Sequence, residues 1–343
     1  MILPEMQYSS VIKYPADKPM TDLISQCIAK ASKASKRLIL PEGEDSRIQA
    51  AALQIQEQSI ATPILLGNAS DIRNANPELQ HIEIIDTATP PSSALENALV
   101  GRRRKITSDN VGEYLSLPAY RGAALLNNEE VDAMVAGAVL PTARVIEAAF
   151  AVGPRAGIKT LSSFFLMSLK SPIEQVSRDL IFADCAINIE PDAEQLAEIA
   201  ITSADSARRL LGDEPRVAML SFSTHGSASH HSVTKVAEAV AIVRDKAPEI
   251  HIEGELQVDT ALSARVAETK LADPGEVAGR ANVLVFPDLN AGNIAYKLVQ
   301  YCGGAQATGP VLQGFAKPIC DLSRGATVED IVAAAAVTIS LSI

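Results

Sequence analysis

Short apolar runs alternate with longer amphipathic segments along the first part of this chain. The runs have the length and the Val, Ile and Leu content of buried strands, whereas the segments between them show helical spacing. The strand-like runs are 37–41, 62–67, 82–85 and 131–137. A helix is predicted over 20–35, ahead of the first run, and another over 48–58. Strands that alternate with helices form parallel βαβ units, so the pattern predicts a parallel sheet covered by helices.

The same alternation restarts near Ile158 and continues for about 150 residues. The later strand-like runs are 160–165, 180–184, 216–222 and 282–286. The region 159–312 therefore predicts a second α/β domain, and 313–343 is expected to return to the first, which otherwise covers 20–158. Residues 1–19 contain prolines and no helical or strand period, and they are expected to form a loosely attached arm.

Composition agrees with helix-covered sheets and restricts the partners. The chain has 343 residues, 47% of them hydrophobic and only 4% aromatic, which favours two α/β domains over a β-sandwich. Its net charge of −11 argues against a general nucleic-acid binder. The densest basic run is 101–105, GRRRK. This run is either a solvated helix face or a patch that steers a polyanionic ligand, and the local sequence leaves both interpretations open.

The cysteines and histidines form no evident metal or disulfide framework. Four widely separated cysteines lack a metal-type pair, which indicates a reducing compartment, the cytoplasm. We expect Cys185 and Cys302 to be buried small hydrophobes. The loop with His225, His230 and His231 could suggest a metal, but adjacent histidines on an extended segment diverge. We expect that loop to line a polar cleft. No apolar run reaches the ~18 residues of a membrane span, and no signal peptide is evident.

The stretch 313–330 contains the strongest local signal for a ligand. It places Ser323 and Arg324 on a turn just before an Ala-rich helix that begins near Thr327 and carries Asp330. A helix N-terminus holds unpaired N–H groups, and an arginine fork matches phosphate or carboxylate oxygens. Both charged residues also have structural interpretations: Thr327-x-x-Asp330 is a capping box, and Arg324 could form a salt bridge. Dinucleotide, P-loop and nucleophile-elbow motifs are absent from the sequence.

Seven segments, in order and without large gaps, together resemble the phosphate acetyltransferase (phosphotransacetylase) family. They are LPEGEDSR at 40–47, SFFLM at 163–167, ADCAIN at 183–188, RVAMLSFST at 216–224, GELQVD at 254–259, FPDLNAGNIAYKLVQ at 286–300 and KPICDLSRGATVED at 317–330. The resemblance implies two three-layer α/β domains with a central cleft, similar to isocitrate and isopropylmalate dehydrogenases. It also implies a cytoplasmic homodimer of acetate metabolism, paired through the second domain. The implied reaction is reversible acetyl transfer between coenzyme A (CoA) and phosphate in a ternary complex, with no metal and no cofactor besides the substrate CoA.

The resemblance also implies roles for individual residues. Asp330 matches the base that takes the proton from the CoA thiol. Arg324 matches the arginine that binds phosphate or acetyl phosphate, and Ser323 beside it supplies a hydrogen bond. Arg47 matches an arginine of the first βα turn that binds CoA or phosphate. Arg103 represents the basic run, where the alignment of the neighbouring arginines is ambiguous.

One segment departs from the family pattern. After the Gly-Ala-Val strand end, the family carries Thr-Ala followed by an arginine, and Thr142 is kept here as a substrate-binding candidate. The arginine position, however, holds Glu147, or Ile146 if a gap is introduced. Either Arg144 or Arg155 takes over in space, or the anion site is altered.

The proton transfer that the resemblance implies has a physical cost. An ordinary Asp has a pKa of about 3.9 and a thiol of about 8.5, so complete transfer is uphill by roughly 6 kcal/mol. A concerted transfer, in which the proton leaves as the acyl carbon is attacked, avoids a free thiolate. Three alternatives remain: a butyryl-type acyl specificity, a homologue that binds acyl phosphate or CoA without turnover, and, least supported, a metal-dependent oxidative decarboxylase.

Overall fold

The computed structural model describes residues 23–173 and 178–343, which form eleven strands and thirteen α-helices. The strands are β1 (Arg37–Leu40), β2 (Thr62–Gly67), β3 (Glu83–Asp86), β4 (Ala133–Ala136), β5 (Ser162–Ser168), β6 (Asp179–Ala183), β7 (Arg216–Leu220), β8 (His251–Leu256), β9 (Val283–Val285), β10 (Gln306–Gln313) and β11 (Ile319–Asp321). The helices are α1 (Leu23–Ala31), α2 (Ser46–Glu57), α3 (Ala69–Ala75), α4 (Ser93–Leu99), α5 (Val111–Leu115), α6 (Pro118–Asn127), α7 (Thr142–Val152), α8 (Ala193–Leu210), α9 (His231–Lys246), α10 (Val258–Leu262), α11 (Ala264–Lys270), α12 (Leu289–Tyr301) and α13 (Val328–Ser340). A 3₁₀ turn spans Pro77–His81.

All the described strands belong to one sheet in the order β3-β2-β1-β4-β11-β10-β5-β6-β9-β7-β8. The first five in this order are mutually parallel, as are the last four. Between these groups, β10 is antiparallel to both β11 and β5, and β5 is antiparallel to β6. The predicted return of the chain end is visible in β11, which pairs with β4 of the first parallel group. The predicted domain boundaries stay predictions.

The structure confirms the strand-like runs, with ends shifted by a few residues. The helix predicted over 20–35 corresponds to α1, whereas residues 1–22, including the predicted arm, lie outside the described residues. Three strands, β8, β10 and β11, are not among the predicted runs. The strand β10 has the sequence QATGPVLQ, whose Gly and Pro interrupt the alternation that normally signals a strand. Pairing with neighbours on both sides therefore stabilises a strand that its own pattern does not predict.

Helices cover both faces of the sheet. One face packs a continuous apolar core against α1, α2, α8, α9 and α13. The opposite face holds two separate cores, one beneath α4 to α7 and the other beneath α10 to α12. The result is the predicted three-layer α/β arrangement, with the core of the second face divided between these two groups of helices.

Helix α13 is buried over most of its length, with Ile331–Ser340 almost entirely inaccessible to solvent. Four consecutive alanines at 333–336 let neighbouring backbones approach closely. At its C-terminal end, Lys30 Nζ donates to Ser340 O at 3.0 Å and connects the helix to α1. This packing fixes the N-terminal end of α13 beside β11, where the predicted anion site begins.

Candidate functional site

A cavity of about 520 Å³ lies where α7, α12, α13 and β10 meet. Four of the seven predicted site residues line it: Thr142, Ser323, Arg324 and Asp330. The other three lie outside this lining: Arg47, Arg103 and Arg144. The residues that line the cavity come from both predicted domains, so the cavity corresponds to the expected cleft.

The turn after β11 presents two of these residues to solvent. Ser323 Oγ accepts a hydrogen bond from Gly325 N–H at 3.3 Å, which shapes the turn. This contact uses an oxygen lone pair and leaves the Ser323 hydroxyl hydrogen available. The Arg324 side chain is exposed and has no ion pair or hydrogen bond within the described ranges 23–173 and 178–343. The structure thus shows no salt bridge for Arg324, and its guanidinium is free for an anion.

Asp330 closes the capping box that the sequence suggested. Its Oδ2 accepts from Thr327 N–H at 3.0 Å, and its own N–H donates to Thr327 Oγ1 at 3.2 Å. These bonds satisfy two of the N–H groups that a helix start leaves unpaired. Oδ1 of Asp330 has no hydrogen bond to any described residue, and the side chain lines the cavity. The cap therefore occupies only one of the two carboxylate oxygens.

The guanidinium group of Arg47 donates all of its hydrogen bonds to protein acceptors. Its Nη1 donates to Arg324 O at 2.8 Å and Ala326 O at 3.0 Å, and its Nη2 donates to Ala138 O at 2.8 Å. Asp45 holds the same guanidinium through Nη2 at 2.8 Å and Nε at 3.1 Å, and this hydrogen bond lowers the pKa of Asp45. All five N–H groups thus have protein acceptors. The arginine fixes the position of the Ser323–Arg324 turn, and its predicted contact with substrate stays a prediction.

Glu42 holds the second loop of the cavity, a role that no sequence motif predicted. Its carboxylate accepts four backbone N–H bonds from the consecutive residues 137–140, at 2.6 to 2.9 Å. Glu42 is buried, so these bonds supply the partners that an interior carboxylate needs. The loop leads directly into α7 and sets the position of Thr142. The only available signal was an acid at the end of a strand, which is too common to be specific.

The basic run lies against α7, where the family pattern departs. Glu147 pairs with Arg144 Nη1 at 3.1 Å and with Lys105 Nζ at 3.7 Å. Arg103 Nη1 donates to Glu147 O at 3.2 Å, and its guanidinium lies 5.2 Å from the centre of the Phe150 ring. The glutamate at the arginine position is thus surrounded by cations on the protein surface. Its presence reduces the positive charge that the basic run can offer to a ligand.

Arg155 lies apart from this surface. Its Nη1 pairs with Asp205 Oδ2 on α8 at 3.0 Å, and its backbone N–H donates to Gly314 O at 2.8 Å. It does not line the 520 Å³ cavity. Of the two arginines considered as substitutes, only Arg144 lies beside position 147.

Helix α12 contributes residues that received no role from the sequence. The Tyr296 ring stacks on Phe165 with centroids 3.9 Å apart. Lys297 Nζ lies 4.8 Å from the centre of the same Tyr296 ring, and both residues line the cavity. The cavity is therefore lined by a second cation besides Arg324. These residues lie within the segment 286–300 that carried the resemblance, but nothing in their local spacing indicated a ligand.

The prediction that Cys302 is buried is wrong. Cys302 is exposed because it follows the end of α12, whereas Cys185 is buried as expected. Burial raises the pKa of the Cys185 thiol, which disfavours the nucleophilic thiolate form. His225 Nε2 contacts Glu253 Oε1 at 3.1 Å, and no group of three or more potential ligands in residues 23–173 and 178–343 could hold a metal. None of the described helices is long and apolar enough to cross a membrane.

Known proteins share both the sequence and this fold. The family model described as phosphate acetyl/butaryl transferase matches residues 22–339. A phosphate acetyltransferase from Thermoanaerobacterium thermosaccharolyticum is 44% identical over 322 residues, which cover 92% of this chain and 98% of that protein. A solved phosphotransacetylase from Streptococcus pyogenes has a TM-score of 0.86 and 36% identity, covering 93% of this chain and 98% of that one.

A more distant likeness concerns the fold alone. A 4-hydroxythreonine-4-phosphate dehydrogenase from Klebsiella pneumoniae has a TM-score of 0.54 at 15% identity, over 90% of this chain and 100% of that one. This likeness agrees with the dehydrogenase-like α/β fold class that the resemblance implied. The family model and the identity over most of both chains settle the relationship. The chain belongs to the phosphate acetyl/butaryl transferase family of acyltransferases.

Proposed function

We propose that the chain is a phosphate acetyltransferase, which converts acetyl-CoA and phosphate reversibly to acetyl phosphate and CoA. The observation that carries the proposal is that Thr142 and the segment 323–330 contribute to the lining of one cavity although they are distant in sequence. The resemblance assigns site roles to Thr142, Ser323, Arg324 and Asp330. The Thermoanaerobacterium relative and the Streptococcus structure bear the name of this activity.

Charge in the cavity suits a phosphate or acetyl phosphate group. Arg324 and Lys297 both line the cavity and have no ion pair with any described residue, so their charges are available to a ligand. The Arg324 guanidinium can bind two phosphate oxygens at once, whereas the lysine acts as a point charge. These local cations oppose the overall charge of −11, which would otherwise repel the substrates.

Asp330 is the group we assign to the thiol proton. In the direction of acetyl-CoA synthesis, the CoA sulfur attacks the carbonyl carbon of acetyl phosphate and a carbon–sulfur bond forms. The carbon–oxygen bond to phosphate breaks, the phosphate takes the electron pair, and the thiol proton passes to Asp330 Oδ1. Since Oδ2 remains bonded to Thr327 N–H, the carboxylate keeps its orientation during the transfer. The attack and the proton transfer are concerted, which avoids the cost of a free thiolate.

The negative charge that develops on the carbonyl oxygen requires donors. Ser323 supplies one, because its Oγ accepts from Gly325 N–H and keeps its own hydrogen for the substrate. Thr142, at the first turn of α7, supplies a second hydroxyl. Such preorganised donors stabilise a tetrahedral intermediate because they need no rearrangement during the reaction. The reaction passes through a ternary complex and needs no cofactor beyond the substrate CoA.

A homodimer through the predicted second domain is part of the proposal. Exposed apolar side chains follow the carboxyl ends of the strands β6, β7 and β8 or lie on α12: Ile189, Phe222, Val258, Ile294, Leu298 and Tyr301. Contiguous apolar patches mark association surfaces, and the proposal is that these side chains form one. The free cysteines fit the reducing cytoplasm, where the enzyme would connect acetyl-CoA with acetyl phosphate in acetate metabolism.

A coupled assay tests the activity by following phosphate-dependent release of CoA from acetyl-CoA. We expect turnover that requires both phosphate and acetyl-CoA, and its absence at millimolar phosphate would refute the proposal. Parallel assays with butyryl-CoA decide the acyl preference. Calorimetry that showed tight CoA binding with negligible turnover would instead support a non-catalytic binding protein.

A further inference from the structure

Asp321 is a buried carboxyl group that the proposed reaction does not use. It is the last residue of β11, and its accessible fraction is 0%. No described residue forms a well-formed hydrogen bond with either of its side-chain oxygens. Burial without a partner strongly disfavours the ionised form of a carboxyl group, so this position favours a bound proton.

The carboxyl group lies at the seam between two strand ends. A Cβ atom at Gly137 would collide with Asp321 Oδ1, and Gly137 has a φ of +107°, which favours glycine. Leu322 N–H donates to Ala136 O at 2.7 Å and holds the two strand ends together. Asp321 therefore fills a space that is shaped for its side chain and that only a glycine on the neighbouring strand leaves open.

This seam joins the two segments that line the cavity. The residues after Asp321 lead directly to Ser323 and Arg324, and the residues after Gly137 form the loop that leads to Thr142. A change in the charge of Asp321 thus acts at the base of both segments. We propose that Asp321 is a positioning residue for the anion site, and that it binds a proton when an anion occupies the cavity beside Ser323 and Arg324. The inference takes from the proposed function only the assumption that phosphate binds in this cavity.

Several charged groups lie on the elements around β11. They are Glu42 and Arg47 after β1, Arg144 and Glu147 on α7, and Glu329 and Asp330 on α13. Burial raises the pKa of Asp321 to about 7, and the negative charge of Glu42 adds to this effect. Thr142 and Leu322 N–H favour the ionised form, but neither completes a well-formed hydrogen bond to the carboxyl group. Arg47 is occupied by its own acceptors and supplies no hydrogen bond to Asp321.

A phosphate group bound by Arg324 brings further negative charge close to this carboxyl group. The added charge makes the ionised form of Asp321 less favourable, so anion binding takes up a proton. By linkage, the protonated form of Asp321 must bind the anion more tightly than the ionised form. Anion affinity is therefore highest below the pKa of Asp321, falls as pH rises through it, and changes little at still higher pH.

Calorimetry with sulfate tests the inference without requiring turnover. Sulfate serves as the probe because, unlike phosphate, it does not titrate near neutral pH. For the wild-type protein we expect the Kd of sulfate to rise by roughly tenfold between about pH 6 and about pH 8.5. Titrations at about pH 7.5 in two buffers of different ionisation enthalpy should show proton uptake. Sulfate that failed to bind, or that bound without proton uptake, would overturn the inference.

Two variants separate a proton-linked role from a merely structural one. Asp321→Asn keeps the shape of the side chain but cannot titrate, so its sulfate affinity should not vary with pH. Asp132→Asn, at the start of β4 and in contact with Lys36, is the matched control and should keep the wild-type pH dependence. If Asp321→Asn changes sulfate affinity equally at both pH values, the role is structural only. If that variant fails to fold, the measurement of proton uptake by the wild-type protein decides the question. A lack of acetyl transfer would refute the proposed function but not the inference about Asp321.

Discussion

At the scale of single residues, Asp330 combines a structural and a proposed chemical role. Its Oδ2 accepts from Thr327 N–H and caps α13. Its Oδ1 has no hydrogen bond to a described residue, and Asp330 lines the cavity. The sequence presented the cap and the base as competing interpretations because both use the same side chain. The structure shows that they use different oxygens, so each role can be tested separately.

The substitution Asp330→Asn tests the base. We expect kcat to fall by roughly 10²- to 10⁴-fold with little change in KM, because the amide cannot accept the thiol proton. Steady-state kinetics measures the loss. An asparagine oxygen can still accept from Thr327 N–H, so the melting temperature should change little.

Thr327→Ala is the matched control for this experiment. It removes the hydroxyl that caps Asp330 N–H and should cost about 1 kcal/mol of stability. Its kcat should stay within a few-fold of the wild-type value. The catalytic assignment of Asp330 is wrong if the two variants lose stability equally and neither loses turnover.

At the scale of elements, two charged side chains shape the cavity from behind. Glu42 accepts the four N–H groups of the loop before α7, and Arg47 donates to the carbonyl groups of the turn before α13. Glu42 lies in the turn after β1 and Arg47 in the first turn of α2, so one short segment sets the position of the two loops that lead to Thr142 and to α13. Neither side chain lines the 520 Å³ cavity itself.

Arg47→Met should impair the anion site from a distance. Loss of the bonds to Arg324 O and Ala326 O frees the turn, so we expect the KM for phosphate to rise about tenfold and stability to fall by about 2 kcal/mol. Kinetics and denaturant unfolding measure the two effects. Asp45→Asn removes the ion pair but keeps these carbonyl contacts, and its effect on KM should be smaller. A variant that lost CoA affinity at full stability would indicate direct substrate contact instead.

Glu147→Gln tests the departure from the family pattern. The change releases Arg144 and Lys105 from their ion pairs, so the basic run should attract the phosphates of CoA more strongly. We expect the KM for CoA to fall roughly two- to fivefold at low salt and the difference to disappear at high salt. Glu57→Gln, on α2, is the control for a general change in net charge. An unchanged KM at low salt would show that the basic run does not serve CoA.

At the scale of the whole molecule, large apolar side chains are exposed on α12 and after the carboxyl ends of β6, β7 and β8. Ile294 and Leu298 are 57% and 56% exposed and lie one turn apart on α12. The same helix presents Tyr296 and Lys297 to the cavity, so association over its outer face would also hold a wall of the site. A stable dimer of ordinary size would bury about 1,600 Å² in total.

A double substitution tests this interface. Ile294→Asp with Leu298→Asp places two charges in the expected contact, and we expect the mass in solution to fall from dimer to monomer. Light scattering after size exclusion measures it. Val100→Asp adds a charge at an exposed apolar residue that is distant from α12 in sequence, and it should leave the mass unchanged. A mass that is unaffected by the double substitution would contradict pairing through α12.

The agreement between predicted and observed strands differs from one strand to another. The strand β2 was predicted at its observed ends, because a buried parallel strand shows a short apolar run. The strand β10 was not predicted, since its Gly and Pro are compatible with a strand only once two neighbours pair with it. The turn before α13 and the basic run were visible in the local sequence, and the roles of the seven site residues came from the family resemblance. The convergence of four of them on one cavity could not be seen in a local pattern.

The sequence by itself determined the α/β class, most strands, the capping box at Thr327 and the family. These depend on local periodicity, on caps and on motifs, all of which are written in contiguous residues. Only the tertiary structure decided that Arg47 donates to backbone carbonyl groups and that Glu42 accepts from the backbone of a loop. It also decided that Asp321 is buried with no hydrogen-bond partner among the described residues. Hydrogen bonding and desolvation depend on groups that are distant in the chain, so they become definite only when the chain is folded.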